Sequence, residues 1–175
     1  LHGLKKLANK NPIEALIVWN KLKLKFYFHE HHFKVVLRSI ALNLAQQHHP
    51  NALNWLKQIP EEFMDDAVYE WRIRTALVTQ HWPQAIEWIN TLPKHLSENE
   101  EWQYWQARIL EKQHKKKASQ KIYNLLAENR SYYGFLSSLR LSLPYQLKHN
   151  FFFVSTNSIE KLAKQETILR ARELH

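Results

Sequence analysis

The chain has 175 residues, 45% of them hydrophobic, with two glycines, no cysteine and a formal net charge of +9. That length holds one domain or a little more and enough apolar material for a sizeable core. The lack of cysteine excludes disulfides, thiolate catalysis and cysteine-ligated metals, and no apolar run approaches the about 20 residues of a membrane-spanning helix.

Good helix formers dominate, and two glycines leave little material for hairpins. Seven Trp, seven Tyr and eight Phe must do much of the filling between helices. Residues 1–50 carry eight basic against two acidic side chains, residues 51–100 four against eight, and residues 101–150 nine against three. Two basic blocks around an acidic one suit an anionic polymer: nucleic acid, an acidic lipid surface or a carboxylate-bearing cell wall. The plainer account is a solvated Lys-rich surface.

The opening Leu1-His-Gly-Leu-Lys-Lys-Leu7 lacks the apolar stretch of a signal peptide, and Arg170–His175 ends in mid-helix pattern. The chain therefore reads as a piece of a longer one. Pro12 predicts the first turn of a helix over 13–22, Pro50 the same before 51–56, and Pro83 before 84–89. A fourth copy at 117–122 lacks the proline. Alanines at 15, 52, 85 and 118 are each followed by a bulky residue a turn later: Trp19, Trp55 with Leu56, Trp88 with Ile89, and Ile122. This is an internal repeat of about 33–37 residues, the period of stacked helical hairpins. The small residue admits close helix approach and the bulky one fills the gap beyond it.

Partner helices are expected over roughly 31–48, 66–80 and 98–113, with Asp65 or Asp66 and Ser97 as N-caps of the last two. Past Pro144 the helical period stops. Tyr145–Val154 has the aromatic and β-branched content of a short extended segment. Asn157 or Ser158 then caps a short helix over 159–163, and a last helix begins near Glu166. The domains expected are 1–144, helical repeat, and 145–175, the start of a second unit.

His29-Glu-His-His32 invites a metal reading, since imidazoles at i and i+3 share a helix face. It is not His-Glu-x-x-His, and no third ligand has the right spacing, so a surface role is preferred there and at His48-His49. Glu61, Glu62, Asp65 and Asp66 suggest paired carboxylates for acid–base work, but a site just before a helix favours stabilisation by the helix N-terminus instead. Lys115-Lys-Lys117 reads as a solvated turn. Trp71-Arg-Ile-Arg74 and Trp105-Gln-Ala-Arg108 repeat a Trp/Arg pairing, with Glu70 or Glu101 as acidic partners, and read as interhelical staples. Tyr132-Tyr-Gly-Phe135 places a glycine inside a helix at a cost of about 1 kcal/mol. Close approach by another helix crossing over Gly134 is the expected compensation.

In this order, Trp71-Arg-Ile-Arg-Thr-Ala-Leu77, His81-Trp82, Ile89 to Pro93, Trp102-Gln-Tyr-Trp-Gln-Ala-Arg-Ile-Leu-Glu111, Ala118 with Ile122-Tyr123, Tyr132-Tyr-Gly-Phe-Leu136 and Leu143-Pro-Tyr145 resemble the soluble lytic murein transglycosylases of Gram-negative bacteria. The likeness is best over residues 66–145. Ser137-Ser138 stands where small alanines are usual, and His81 where an acid or Asn is common. The resemblance implies a right-handed α-superhelix of stacked antiparallel helix pairs, closed by a small linker segment. It implies a separate lysozyme-like domain whose catalytic glutamate lies beside a Glu-Ser motif and which cleaves MurNAc–GlcNAc bonds to 1,6-anhydro products. This chain has no Glu-Ser dipeptide, so no catalytic residue carries over.

The expectations are an all-α superhelix without cofactor or metal, acting in the periplasm as a monomeric scaffold that positions peptidoglycan and holds the catalytic domain. Nucleic acid is not an expected partner, because none of the usual binding modules is present. A helical-repeat protein-interaction adaptor is the alternative. Trp71, Arg74, Trp102, Tyr104, Trp105, Arg108, Tyr132, Tyr133, Gly134 and Phe135 form the expected structural motif.

Overall fold

The computed structural model describes residues 2–147 and 155–173. Every regular element among them is helical. The chain divides into two compact units, residues 1–145 and 146–175.

In the first unit α1 (His2–Lys10) pairs with α2 (Pro12–Lys25), α3 (Glu30–Gln46) with α4 (Ala52–Lys57), α5 (Asp66–Val78) with α6 (Trp82–Asn90), and α8 (Glu100–Lys112) with α9 (Lys116–Ala127). A short α7 (Lys94–Ser97) precedes α8, and α10 (Tyr132–Leu141) packs on both α9 and α8. The apolar interior follows the chain as three serial clusters, the first across α1–α5, the second around α5, α6 and α8, and the third between α8, α9 and α10. Each hairpin buries its apolar face on its neighbours, which is the logic of a helical superhelix.

The repeat rests on a small residue with a large one four positions on. Ala15 and Trp19, Ala52 and Leu56, and Ala85 and Ile89 are all buried. The fourth copy is offset by one from the sequence expectation. Ala118 faces solvent and Ile122 is only half-buried, while Ser119 and Tyr123 occupy the two buried positions. Ser119 is tolerated inside because its hydroxyl bonds the carbonyl of Lys116 at 2.9 Å.

The hairpin turns explain how the chain manages with so little glycine. After α3, α5 and α8 the backbone enters the left-handed region at His48, Gln80 and His114, with φ of 54°, 57° and 60°. In each case the next amide reaches back into the helix: His49 to Leu44, His81 to Ala76, and Lys115 to Leu110. These are Schellman closures, usually built with glycine. Ser142 repeats the device after α10, with Leu143 bonded to Ser138. The turns are written by hydrogen bonding, so composition concealed them.

Several caps differ from expectation. Pro12 opens α2 behind Asn11, whose side chain accepts from the Glu14 amide, and Pro83 lies in the first turn of α6. Pro50 lies outside α4, whose cap position is Asn51. Asp65 caps α5 by accepting from the Val68 amide at 3.0 Å. Ser97 does not cap α8, because it ends α7 and leaves Asn99 at the cap position.

In the second unit α11 (Thr156–Ala163) is followed by α12 (Glu166–Glu173). Ser155, rather than Asn157 or Ser158, caps α11 and accepts from the Ser158 amide. The extended segment expected over 145–154, with Phe151–Phe153, lies outside the described residues beyond 147.

Candidate functional site

The acidic and histidine clusters resolve into local structure. Glu62 pairs with Lys34, Asp65 with Arg38, and Asp66 with His95 at 2.8 Å, so these three carboxylates answer separate cations rather than one reacting centre. The hydrogen bond from Lys34 is the main influence holding the Glu62 carboxyl below its ordinary range. His29 accepts from the His31 amide and His49 from the Asn51 amide, and both act as turn caps. Among the described residues no group of three potential metal ligands forms.

The aromatic motifs converge. On α5, Trp71, Arg74 and Val78 share one face by helical spacing, and on α8 Glu101 and Trp105 do the same. Between them lies a groove of about 460 Å³, closed by Trp82 at the start of α6, Tyr133 of α10 and His48 at the turn after α3. Arg74 ties its floor together. It binds Glu70 at 3.0 Å and Glu101 at 3.5 Å, and its guanidinium lies 5.8 Å from the Trp71 ring centre and 5.4 Å from that of Trp102. The stacked planar cation joins α5 to α8. Lys112 covers Trp82, 4.8 Å from its ring centre.

Beneath the groove Tyr104 is buried, with its ring 5.6 Å from Tyr133, 5.8 Å from Tyr123 and 6.0 Å from Trp105. Burial, then the nearby Glu101 and Tyr132, push the Tyr133 phenol above its ordinary value. Trp102 is buried to 1% exposure, and its indole N–H has no partner among the described residues.

The Trp/Arg pairing expected twice occurs once. Arg108 turns away from Trp105 and binds Glu111 at 2.6 Å, and Glu111 also accepts from the Tyr123 hydroxyl at 3.0 Å. Burial works to raise the Glu111 carboxyl. The hydrogen bonds from Tyr123 and Arg108, with the charges of Arg108 and Arg140, outweigh it and hold the group below its ordinary value. Burial and the bond to Glu111 push the Tyr123 phenol well up. This network borders a second, more polar recess of about 420 Å³ with His114, Lys116 and Arg140.

Gly134 is a close-approach glycine, but no distant helix crosses it. It sits in the first turn of α10, where an added Cβ would lie 2.1 Å from the Asn129 carbonyl oxygen and 2.8 Å from that of Leu126. What approaches is the end of α9 and its tight turn. Ser131 caps α10 through the Gly134 amide and also bonds Glu100, which accepts from Asn129 at 2.9 Å. Of the remaining motif residues, Tyr132 is exposed and stacks edge-on against Tyr133, and Phe135 packs on Tyr145 at 5.4 Å. Sequence reasoning did not find Val78, Trp82 and His48 as groove residues. Only the i+7 and i+4 spacing of Val78 from Trp71 and Arg74 hinted at the first.

The fold and its aromatic seams define the class: an all-α superhelix of stacked hairpins. No protein-family profile and no curated protein matches the chain. Solved structures do. An inactive variant of the lytic transglycosylase Slt from Pseudomonas aeruginosa superposes with a TM-score of 0.78 at 32% identity, over 98% of this chain and 28% of that one. The 70-kDa soluble lytic transglycosylase Slt70 of Escherichia coli gives a TM-score of 0.75 at 22% identity, again over 98% and 28%. A 70-kDa soluble lytic transglycosylase in complex with bulgecin A gives 0.72 at 22%, with the same coverage. The chain thus spans 28% of the length of each of these proteins and corresponds to an Slt-like lytic transglycosylase helical region.

Proposed function

We propose that this chain is the non-catalytic superhelical region of a periplasmic lytic transglycosylase, in which it positions murein and holds a catalytic domain that cleaves MurNAc–GlcNAc bonds to 1,6-anhydro products. The observation carrying this reading is 32% identity to the Pseudomonas aeruginosa Slt over 98% of the chain, with the fold retained. The change of unit after residue 145 supports a superhelical domain over 1–144 and a linker beginning at 145. No helix of the described residues is long and apolar enough to cross a membrane. The net charge of +9 favours adsorption to a carboxylate-bearing polymer.

Co-sedimentation of the pure chain with murein sacculi tests the reading. Retention at low salt that weakens as salt screens the charges is expected, with no release of anhydro-muropeptides by the chain alone. A chain that stays in the supernatant, or one that lyses murein unaided, overturns it.

A further inference from the structure

We infer that the groove between α5 and α8 is a subsite for an uncharged pyranose unit of a glycan, with the sugar ring lying on the Trp71 and Trp105 indoles. The inference deepens the murein-scaffold reading and rests on it for the choice of glycan.

Three features of the groove select this ligand class. Its volume of about 460 Å³ falls in the range of small-molecule sites. Its walls are flat and amphipathic. The partly buried Trp71 and Trp105 indoles line the groove, and an indole face carries the negative π-potential that complements the weakly positive C–H face of a pyranose, while Leu77 and Val78 add apolar surface. Its lining offers donors and acceptors together: the Arg74 guanidinium, the Glu101 carboxylate, the Tyr133 hydroxyl and the His48 imidazole. Sugar hydroxyls both donate and accept, so they require such a mixed set.

Charge argues against a polyanion at this spot. Arg74 is already matched by Glu70 and Glu101, two acids to one guanidinium, so its site carries no excess positive charge, and the one further cation described at the groove, Lys112, lies over the Trp82 ring. Val78 is 63% exposed at the groove surface, so a substitution there alters the groove without disturbing the core.

The test uses the 175-residue chain and tri-N-acetylchitotriose as probe, with calorimetry and indole N–H NMR shifts as readouts. Saturable binding is expected. Val78→Arg blocks the groove without entering the core, and Trp105→Ala removes a stacking face; each is expected to weaken binding by at least about tenfold. Leu125→Arg, on an exposed α9 position outside the groove lining, is expected to bind as the parent does. Circular dichroism confirms folding, and Val78→Arg keeps the test decisive if Trp105→Ala unfolds. No saturable binding by the parent, undiminished binding by Val78→Arg, or occupation of the groove by a short leucine-rich peptide with the oligosaccharide inert, each overturns the assignment. Sacculus retention separates the two readings. Retention equal for parent and Val78→Arg, with no oligosaccharide binding, sinks the subsite and leaves the scaffold. Oligosaccharide binding lost in Val78→Arg, without retention of the parent on sacculi, keeps the subsite and sinks the scaffold.

Discussion

Replacing Gly134 by alanine sets two physical effects against each other at one atom. Helix propensity alone says the change should stabilise by about 1 kcal/mol. The structure says otherwise, because the new Cβ would sit 2.1 Å from the Asn129 carbonyl oxygen and 2.8 Å from that of Leu126. Both obstacles are backbone, so no side-chain rotation relieves them. The first turn of α10 must move away from the end of α9 by about 1.4–1.9 Å, since ordinary carbon contacts lie at about 3.5–4 Å. That movement pulls on the Ser131 cap, worth about 1 kcal/mol, and on the Glu100 bonds to Ser131 and Asn129. Overpacking of a dense junction costs about 1–3 kcal/mol. With the lost cap and the propensity gain included, Gly134→Ala should destabilise by about 1–3 kcal/mol, lowering Tm by roughly 3–10 °C for a chain of this size. Urea and thermal unfolding followed by circular dichroism measure it. A variant as stable as the parent, or more stable, would refute close approach as the reason for this glycine.

The opposite glycine change should help. Gln80→Gly relieves a left-handed residue at φ 57° in an exposed turn, and a gain of about 0.5–1 kcal/mol in urea unfolding is expected; a loss would show that the Gln80 side chain matters more than its backbone. Ser138 is fully buried with an unpartnered hydroxyl, so Ser138→Ala should be neutral or stabilising by up to about 1 kcal/mol, and clear destabilisation in the same assay would point to a missing partner. The folded Glu111 carboxyl is held below its ordinary value of 4.5. Its stabilising contribution is therefore present above that pH and is lost as pH falls toward the folded value. Glu111→Gln should flatten the acid limb of the stability–pH curve; an unchanged limb would remove this group from the account.

Helix content, the hairpin period and the aromatic seams were legible in the sequence because each depends on local pattern. Proline at first turns, small and large residues four apart, and apolar residues at helical spacing report what one helix presents to the next. The repeat failed by one residue at Ala118, because alanine and serine are equally small and only packing decides which of Ala118 and Ser119 turns inward. The turns were illegible for a related reason. His48, Gln80 and His114 adopt a conformation that glycine usually marks, and the hydrogen bonds holding them there leave no compositional trace. Gly134 announced close approach, but what approaches it depends on how α9 ends. The groove belongs wholly to tertiary structure. Trp71, Trp82, Trp105 and Tyr133 come from four helices, and whether an indole is a buried staple, as at Trp102, or a half-open wall, as at Trp105, is set by where the neighbouring hairpin stops covering it.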